Sequence, residues 1–426
     1  MDRVLFMPVG TGTGESEDRV RSLAHGLFHS INRNRPDKIV FFGSEMSRKT
    51  VDYIEKEAEV QGKDLPEYEF IEIHDIDVVS ELFNRFEEQM KIYGDHEVIV
   101  DYTSGTKTMT SIAFIIGILY RKELSVVSGF RDRNGTVQSG TESIIQQNTY
   151  QIYDKLNIRR FKELFNHGRF ETALQILEND VVNHERREAY IKLTRAYLHW
   201  DLFEHEEALD YLNSDEVKSI EELEDVIKRN KGILGEIISS RKGKRKYKYR
   251  PFLPDLLANS SRRASEGRYD DAAARLYRAL ELIAQILIEE EYGDETDSLN
   301  PDNYKMSTRA ALKLDGKKHL ALKNAYRLLE CEGHDIGRAF GKDNKILDLL
   351  KIRNYSILAH GFKSVNGEQY QRFYDKVLEY ARMIDERIDS KIDNATFPRY
   401  NLFLETTLPV REPWCFALIV FNVIDI

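Results

Sequence analysis

Through the first 150 residues, short apolar runs alternate with amphipathic stretches. VLFMPVG (Val4 to Gly10), KIVFFG (Lys38 to Gly43), YEFIEI (Tyr68 to Ile73), EVIVDY (Glu97 to Tyr102) and LSVVSGF (Leu124 to Phe130) read as strands. Helical spacing fills the intervals, over Glu15 to Asn32, from Ser47, over Val78 to Tyr93 and over Lys107 to Arg121. Strand–helix alternation with β-branched runs predicts an α/β unit with a mostly parallel sheet covered on both faces. Ligands bind such sheets at the carboxyl ends of the strands. That rule selects Gly10 to Gly14 after the first strand and Thr103 to Lys107 after the fourth.

From about Asp154 the pattern becomes helical only. FKELFNHGRFETALQIL and AYIKLTRAYLHWDLFEHEEALDYL carry apolar residues at helical spacing, in the manner of tetratricopeptide-like hairpins. The run RKGKRKYKYR (Arg241 to Arg250), closed by Pro251 and Pro254, reads as a linker. A second helical unit begins at Leu256, with a break at Gly267 and a helix start near Asp270. Its amphipathic face is Ala273, Leu276, Tyr277, Leu280, Ile283, Ala284 and Leu287. Further helices are expected from Asn344 to Leu358, ending near Gly361, and from Glu368 to about Ile392. The apolar stretch Phe416 to Ile426 is too short to span a bilayer.

A chain of 426 residues is long enough for two to four domains. Its net charge of -10 repels nucleic acid as a whole, so any RNA contact must come from a local basic patch. Cys331 and Cys415 form neither a metal-ligand spacing nor a disulfide framework, and MDRVLFMPVG lacks the apolar core of a secretion signal. A cytoplasmic protein without a membrane segment is expected.

The string Asp101-Tyr102-Thr103-Ser104-Gly105-Thr106-Lys107-Thr108-Met109 lies between a strand and a helix. Gly105 allows close backbone approach, four hydroxyls are on offer, and Lys107 adds a cation at a helix start that already favours anions. The spacing is not that of a P-loop, and Gly10-Thr11-Gly12-Thr13-Gly14 is not the dinucleotide fingerprint. A Rossmann-like domain with these two loops resembles the CARF domains of type III CRISPR ancillary proteins. The resemblance implies a homodimer that binds a cyclic oligoadenylate across its axis. The residues implied are Gly10, Thr11, Gly12, Thr13, Thr103, Ser104, Gly105, Thr106, Lys107 and Met109. Tetra- and hexa-adenylate rings are both open.

Arg353 and His360 stand seven residues apart, on one helix face if the helix runs through both. With 62 Lys and Arg and 11 His, that spacing arises about once by chance, so the string and not the spacing carries the signal. Arg353-Asn354-Tyr355-Ser356-Ile357-Leu358-Ala359-His360-Gly361 resembles the RNase motif of HEPN domains, and RLYRALE upstream resembles that fold's first long helix. With the N-terminal half, the chain resembles CARF–HEPN ribonucleases with a helical insert. The resemblance implies a sensor over 1–150, a helical connector over 151–250, an all-α HEPN unit over 251–395 and a tail of unassigned role over 396–426. It further implies that single-stranded RNA is cut without a metal or other cofactor, because the substrate's 2′-hydroxyl is the nucleophile. His360 would move protons, Arg353 would stabilise the phosphorane and Asn354 would orient the phosphate or the histidine. The interleaved cations and tyrosines from Lys242 to Arg250 are either an RNA guide or a solvated linker. His25 and His29 read as surface or helix-packing residues. The rival reading is a ligand-responsive regulator whose C-terminal helices bind a partner without catalysis.

Overall fold

The computed structural model describes residues 2–11, 17–130, 137, 140–147, 150–243, 248–315, 319–358 and 361–402. Its N-terminal part is built from β1 (Arg3–Pro8), α1 (Glu17–Asn34), β2 (Lys38–Gly43), α2 (Arg48–Val60), β3 (Glu67–Glu72), α3 (Val79–Tyr93), β4 (Glu97–Asp101), α4 (Lys107–Leu119), β5 (Glu123–Ser128) and β6 (Ser143–Gln147). The six strands form one sheet in the order β3-β2-β1-β4-β5-β6. β1 to β5 are parallel, and β6 pairs antiparallel with β5 as an edge strand.

Successive strand residues point to opposite faces, and both faces are covered. Val4, Phe6, Val40 and Phe42 pack with Phe86, Met90, Ile112 and Ile116 on one side. Leu5, Met7, Ile39 and Phe41 pack with Leu27, Phe28 and Ile54 on the other. This is why these strands read as unbroken apolar runs. The sheet order also has a consequence for ligand binding. From β1 the chain moves outward to β2 and β3, then returns to place β4 on β1's other side. The loops after β1 and β4 therefore diverge at the sheet's carboxyl edge and leave a crevice between them.

The remaining helices are α5 (Tyr150–Asn166), α6 (Phe170–Asn179), α7 (Arg187–Asp201), α8 (His205–Leu212), α9 (Asp215–Lys218), α10 (Glu224–Arg241), α11 (Phe252–Ser265), α12 (Tyr269–Tyr292), α13 (Met306–Leu312), α14 (Leu322–Glu332), α15 (Asp335–Lys342), α16 (Asn344–Asn354), α17 (Gly367–Ile384) and α18 (Ile388–Asn394). By backbone proximity the chain forms two compact units. One is residues 1–157 with 181–184, and the other is residues 158–180 with 185–426.

Three turns of the second unit are alike in their backbone and in the alanine that follows. α5, α7 and α11 each end on a residue in the left-handed region, at Gly168 (φ 71), Phe203 (φ 64) and Gly267 (φ 74). In each the following amide reaches back five residues: Arg169 N to Leu164 O at 2.9 Å, Glu204 N to His199 O at 2.9 Å and Arg268 N to Arg263 O at 3.0 Å. Ala173, Ala208 and Ala272 then occupy the same buried position in the next helix. Two of the three turns use glycine, which adopts this conformation freely, whereas the third uses phenylalanine.

α7 and α8 are joined to α11 by buried polar groups. Asp255 accepts from Trp200 Nε1 at 2.8 Å and from His205 Nε2 at 2.8 Å. Asp201 accepts from Arg262 Nε at 2.9 Å and pairs with Arg263. The predicted helix from Glu368 to Ile392 is broken at Asp385, whose carboxylate accepts from Arg387 N at 3.1 Å and restarts the chain as α18. The start of the C-terminal tail packs on the connector helices. Asn166 holds both backbone groups of Tyr400, and the Phe397 ring lies 4.7 Å from that of Tyr197. Among the described residues no helix is long and apolar enough to cross a membrane.

Replacing Asp255 by alanine strands two buried donors at once. Asp255→Ala is expected to cost about 2–6 kcal/mol, at 1–3 kcal/mol for each unsatisfied group, read as a fall in the thermal midpoint. Asp215→Ala, which removes only an exposed pair with Lys218, should leave the midpoint unchanged.

Candidate functional site

The loop after β4 is held by its own side chains. Asp101 is fully buried; its carboxylate accepts from Ser30 Oγ at 2.5 Å and from Thr103 N at 2.8 Å. Burial pushes the Asp101 pKa up, against the pull of those hydrogen bonds. Thr103 Oγ1 accepts from Val127 N at 2.8 Å. Thr106 caps α4, accepting from Met109 N at 3.2 Å and donating to Ile76 O at 3.1 Å. Ser104 Oγ accepts from Gly10 N at 3.1 Å and so ties the β4 loop to the β1 loop. The hydroxyls of Thr103, Ser104 and Thr106 thus shape the loop, leaving the amides of α4's first turn as its anion-facing groups.

Gly10 and Gly105 make this closeness possible. A β-carbon on Gly10 would stand 3.2 Å from the Gly105 Cα. Gly105 itself adopts φ +114, beside the Met109 side chain. Between the two loops opens a cavity of about 380 Å³. Gly10, Thr11, Thr103, Ser104, Gly105, Thr106 and Met109 all line it. Lys107 does not; it is exposed at the start of α4. Gly12 and Thr13 lie outside the described residues.

Sequence reasoning missed the other wall. Arg19, Ser22, Leu23 and Gly26 line the cavity from α1. Their spacing of i, i+3, i+4 and i+7 marks one helix face directly after the glycine loop, and that was the available signal. Glu142 completes the lining. It faces His25 at 3.6 Å, and His25 is also 2.9 Å from Glu57. His25 is therefore a half-buried bridging group, while His29 is exposed.

In the helical unit, the Arg353 guanidinium lies 4.0 Å over the ring of Tyr277 on α12. It donates to Asn354 Oδ1 at 3.2 Å. One helical turn from Tyr277 stands Glu281. Burial raises its pKa, while the charges of Arg278 and Arg353 draw it back. Tyr277, expected only as part of an apolar face, is thus the platform for Arg353.

The expected helix to Leu358 ends instead at Asn354, with Arg353 in its last turn. Three features turn the chain. Ser356 is buried, Gly361 N donates to Ser356 O at 3.2 Å, and Lys363 N donates to Tyr355 O at 3.1 Å. A β-carbon on Gly361 would collide with the Tyr355 carbonyl, so only glycine permits this return. Ala359 and His360 lie outside the described residues. Around the turn, Tyr355, Ile357, Leu358 and Phe362 are exposed, Phe362 by 94%. Among the described residues no group of three or more His, Cys, Asp and Glu side chains could hold a metal ion.

Comparison with known proteins follows this geometry. Residues 241–384 match the Csm6 HEPN domain, and residues 153–234 match the Csm6 6H domain. No curated protein matches. Among solved structures, Csm6 of Enterococcus italicus bound to cyclic hexa-2′-fluoro-hexa-dAMP superposes with a TM-score of 0.60 at 15% identity. The match covers 92% of this chain and 100% of that one. Can2 of Sulfobacillus thermosulfidooxidans in complex with cyclic tetra-adenylate gives a TM-score of only 0.24 at 10% identity, over 46% of this chain and 58% of that one. The two matched domains take in more than half of the 426 residues, and the whole has the fold of a solved Csm6; the chain belongs to the Csm6 family of CRISPR-associated CARF–HEPN ribonucleases.

Proposed function

We propose that the chain is a cyclic-oligoadenylate-activated endoribonuclease that cuts single-stranded RNA in type III CRISPR antiviral defence in the cytoplasm. The observation that carries this reading is the cavity between the β1 and β4 loops, in a chain that also carries Arg353 stacked on Tyr277. Residues 1–150 act as sensor, 151–250 as connector and 251–395 as the HEPN unit, with Phe397 and Tyr400 packed on the connector helices. The activator's phosphates meet the amides of the Thr103–Lys107 segment and Lys107, and its bases meet the Gly10–Gly14 edge.

Size favours a homodimer. A cavity of about 380 Å³ lies near the low end of the roughly 300–1,000 Å³ that holds one drug-sized molecule. A ring of four or six adenylates needs several times that space, so two chains across a two-fold axis share one ring. The exposed apolar residues Tyr355, Ile357, Leu358 and Phe362 offer a second surface for contact between the two chains. Activator binding then favours one spacing of the two Arg353/His360 pairs, a population shift driven by unequal affinity for two states.

The chemistry requires only the chain and its substrate. The RNA 2′-hydroxyl attacks the adjacent phosphorus, the 5′-oxygen of the next nucleotide departs, and a 2′,3′-cyclic phosphate remains. His360 manages the protons, Arg353 stabilises the phosphorane charge, and Asn354 orients the phosphate.

Four outcomes are expected. Synthetic cyclic tetra- or hexa-adenylate should switch on cleavage of a fluorescent RNA reporter by the purified protein. Arg353→Ala and His360→Ala should each remove nearly all of that cleavage with folding and activator binding intact. Wild-type rates in His360→Ala would leave the regulator reading in place. Cleavage should persist in excess EDTA and yield 2′,3′-cyclic phosphate ends, and a substrate methoxylated at the 2′ position of the cut site should be inert. Loss on chelation with recovery in magnesium contradicts the chemistry. Gly105→Val should cost the sensor about 1–3 kcal/mol, the price of forcing a side chain into that backbone region, and should abolish activator binding. Normal activation of this variant would move the binding edge elsewhere.

A further inference from the structure

Phe203 is an aromatic residue where two like turns carry glycine. The equivalent residues are Gly168 and Gly267, and all three have φ between 64 and 74. A bulky aromatic residue is a rare occupant of the left-handed region, and such strain persists where the side chain has a task. The Phe203 ring lines a cavity of about 330 Å³, whose walls include the rings of Tyr249 and Phe252. Three cations surround those rings: Arg241, Lys248 and Arg278. The Arg241 guanidinium lies 5.3 Å from the Phe252 ring centre, and Lys248 Nζ lies 5.1 Å from that of Tyr249.

We propose that this cavity binds one unstacked nucleotide of a single-stranded RNA, with the base among the three rings and the phosphates on Arg241, Lys248 and Arg278. Aromatic faces with a cationic rim accept any base and follow the backbone, which is the chemistry of sequence-tolerant single-strand binding. In the free protein Lys248 pairs with Glu295 at 2.9 Å and Arg278 with Glu281 at 3.7 Å. Both pairs are solvent-accessible and exchange cheaply for a phosphate. The site is also close to the chemistry. Arg278 follows Tyr277, so α12 presents the cavity on one face and the Arg353 platform on the adjoining face, about 100° away. The proposal rests on the RNA-cutting reading and adds to it a subsite that holds substrate away from the scissile phosphate.

The strained turn supplies the test. Phe203→Gly restores the residue found in the other two turns, so the fold is expected to keep its melting temperature or gain. Affinity of the full-length protein for a labelled 2′-methoxy single-stranded RNA, read by fluorescence anisotropy, should fall roughly 5- to 150-fold, the worth of one stacked base. Arg278→Gln should weaken binding and reduce the salt slope by about 0.7, one phosphate contact on a single strand. With cleavable RNA, Phe203→Gly should raise KM and leave kcat alone, the mark of uniform binding. A duplex of the same sequence should not compete. Unchanged affinity in Phe203→Gly overturns the proposal, and so does full competition by the duplex. If Phe203→Gly loses both affinity and stability, Arg278→Gln decides: normal binding there shows that the ring only packs. Wild-type protein that binds no RNA overturns both this subsite and the RNA-cutting reading, whereas wild-type cleavage matched by both variants overturns the subsite alone.

Discussion

A single buried carboxylate determines how the helical unit is assembled. Asp255 stands on α11, yet the groups it satisfies, Trp200 and His205, belong to α7 and α8. All three are essentially without solvent contact. A carboxylate buried this deeply is tolerated only with its acceptor sites filled, and the indole and imidazole N–H groups find no other acceptor there. The pairing therefore admits one register of α7 against α11. Asp201, one residue after Trp200, repeats the arrangement with Arg262 and Arg263. The helices on either side of the basic linker are locked as one body by polar groups rather than by apolar area alone, and polar locks distinguish alternative packings more sharply.

In the sheet unit the equivalent constraint is Asp101. Buried at the end of β4, it fixes Ser30 of α1 and the Thr103 amide together. Its protonation is favoured by burial, so the loop's geometry rests on short hydrogen bonds more than on an exposed charge. Ser104 then fastens Gly10, and the two glycines bring the loops within contact. A crevice that the sheet order merely permits becomes a shaped cavity through this chain of partners.

How much of this the sequence disclosed follows from what each feature depends on. Strands β1, β2 and β4 were legible because burial on both faces forces continuous apolar runs, β3 at the sheet edge because its sequence alternates, and the helices between them because one face must stay apolar. β6 was not: SIIQQ is an edge strand largely exposed to solvent, so no periodicity marks it. Gly10, Thr11 and Thr103 to Thr106 followed from topology alone. Arg19 and Glu142 did not, since their place in the wall depends on how α1 and the β5–β6 segment pack. The end of α16 was misread for a related reason. Ile357 and Leu358 keep helical spacing after Arg353, but the turn is imposed by the buried Ser356 and the approach of Gly361 to Tyr355. Long-range contacts of that kind leave no local trace.

The chain's acidity clarifies why its sites look as they do. With a net charge of -10, no broad positive field can gather a polyanion, and each anion-binding feature must be local. At the sheet edge, backbone amides at the start of α4 carry partial positive charge without adding a mobile side chain, and the nearest lysine, Lys107, stands outside the cavity wall. In the helical unit a full cation is used, but it is restrained. The Arg353 guanidinium lies over the Tyr277 ring and is half-buried, so its position and partial desolvation are set by the fold. A guanidinium placed this way acts more strongly on a nearby phosphate than a hydrated one would. Glu281 beside it limits the local charge, and burial makes that carboxyl easier to protonate than an exposed one. The balance between Arg353, Tyr277 and Glu281 therefore governs how much positive potential this face of the helical unit presents, in a protein whose overall charge works against it.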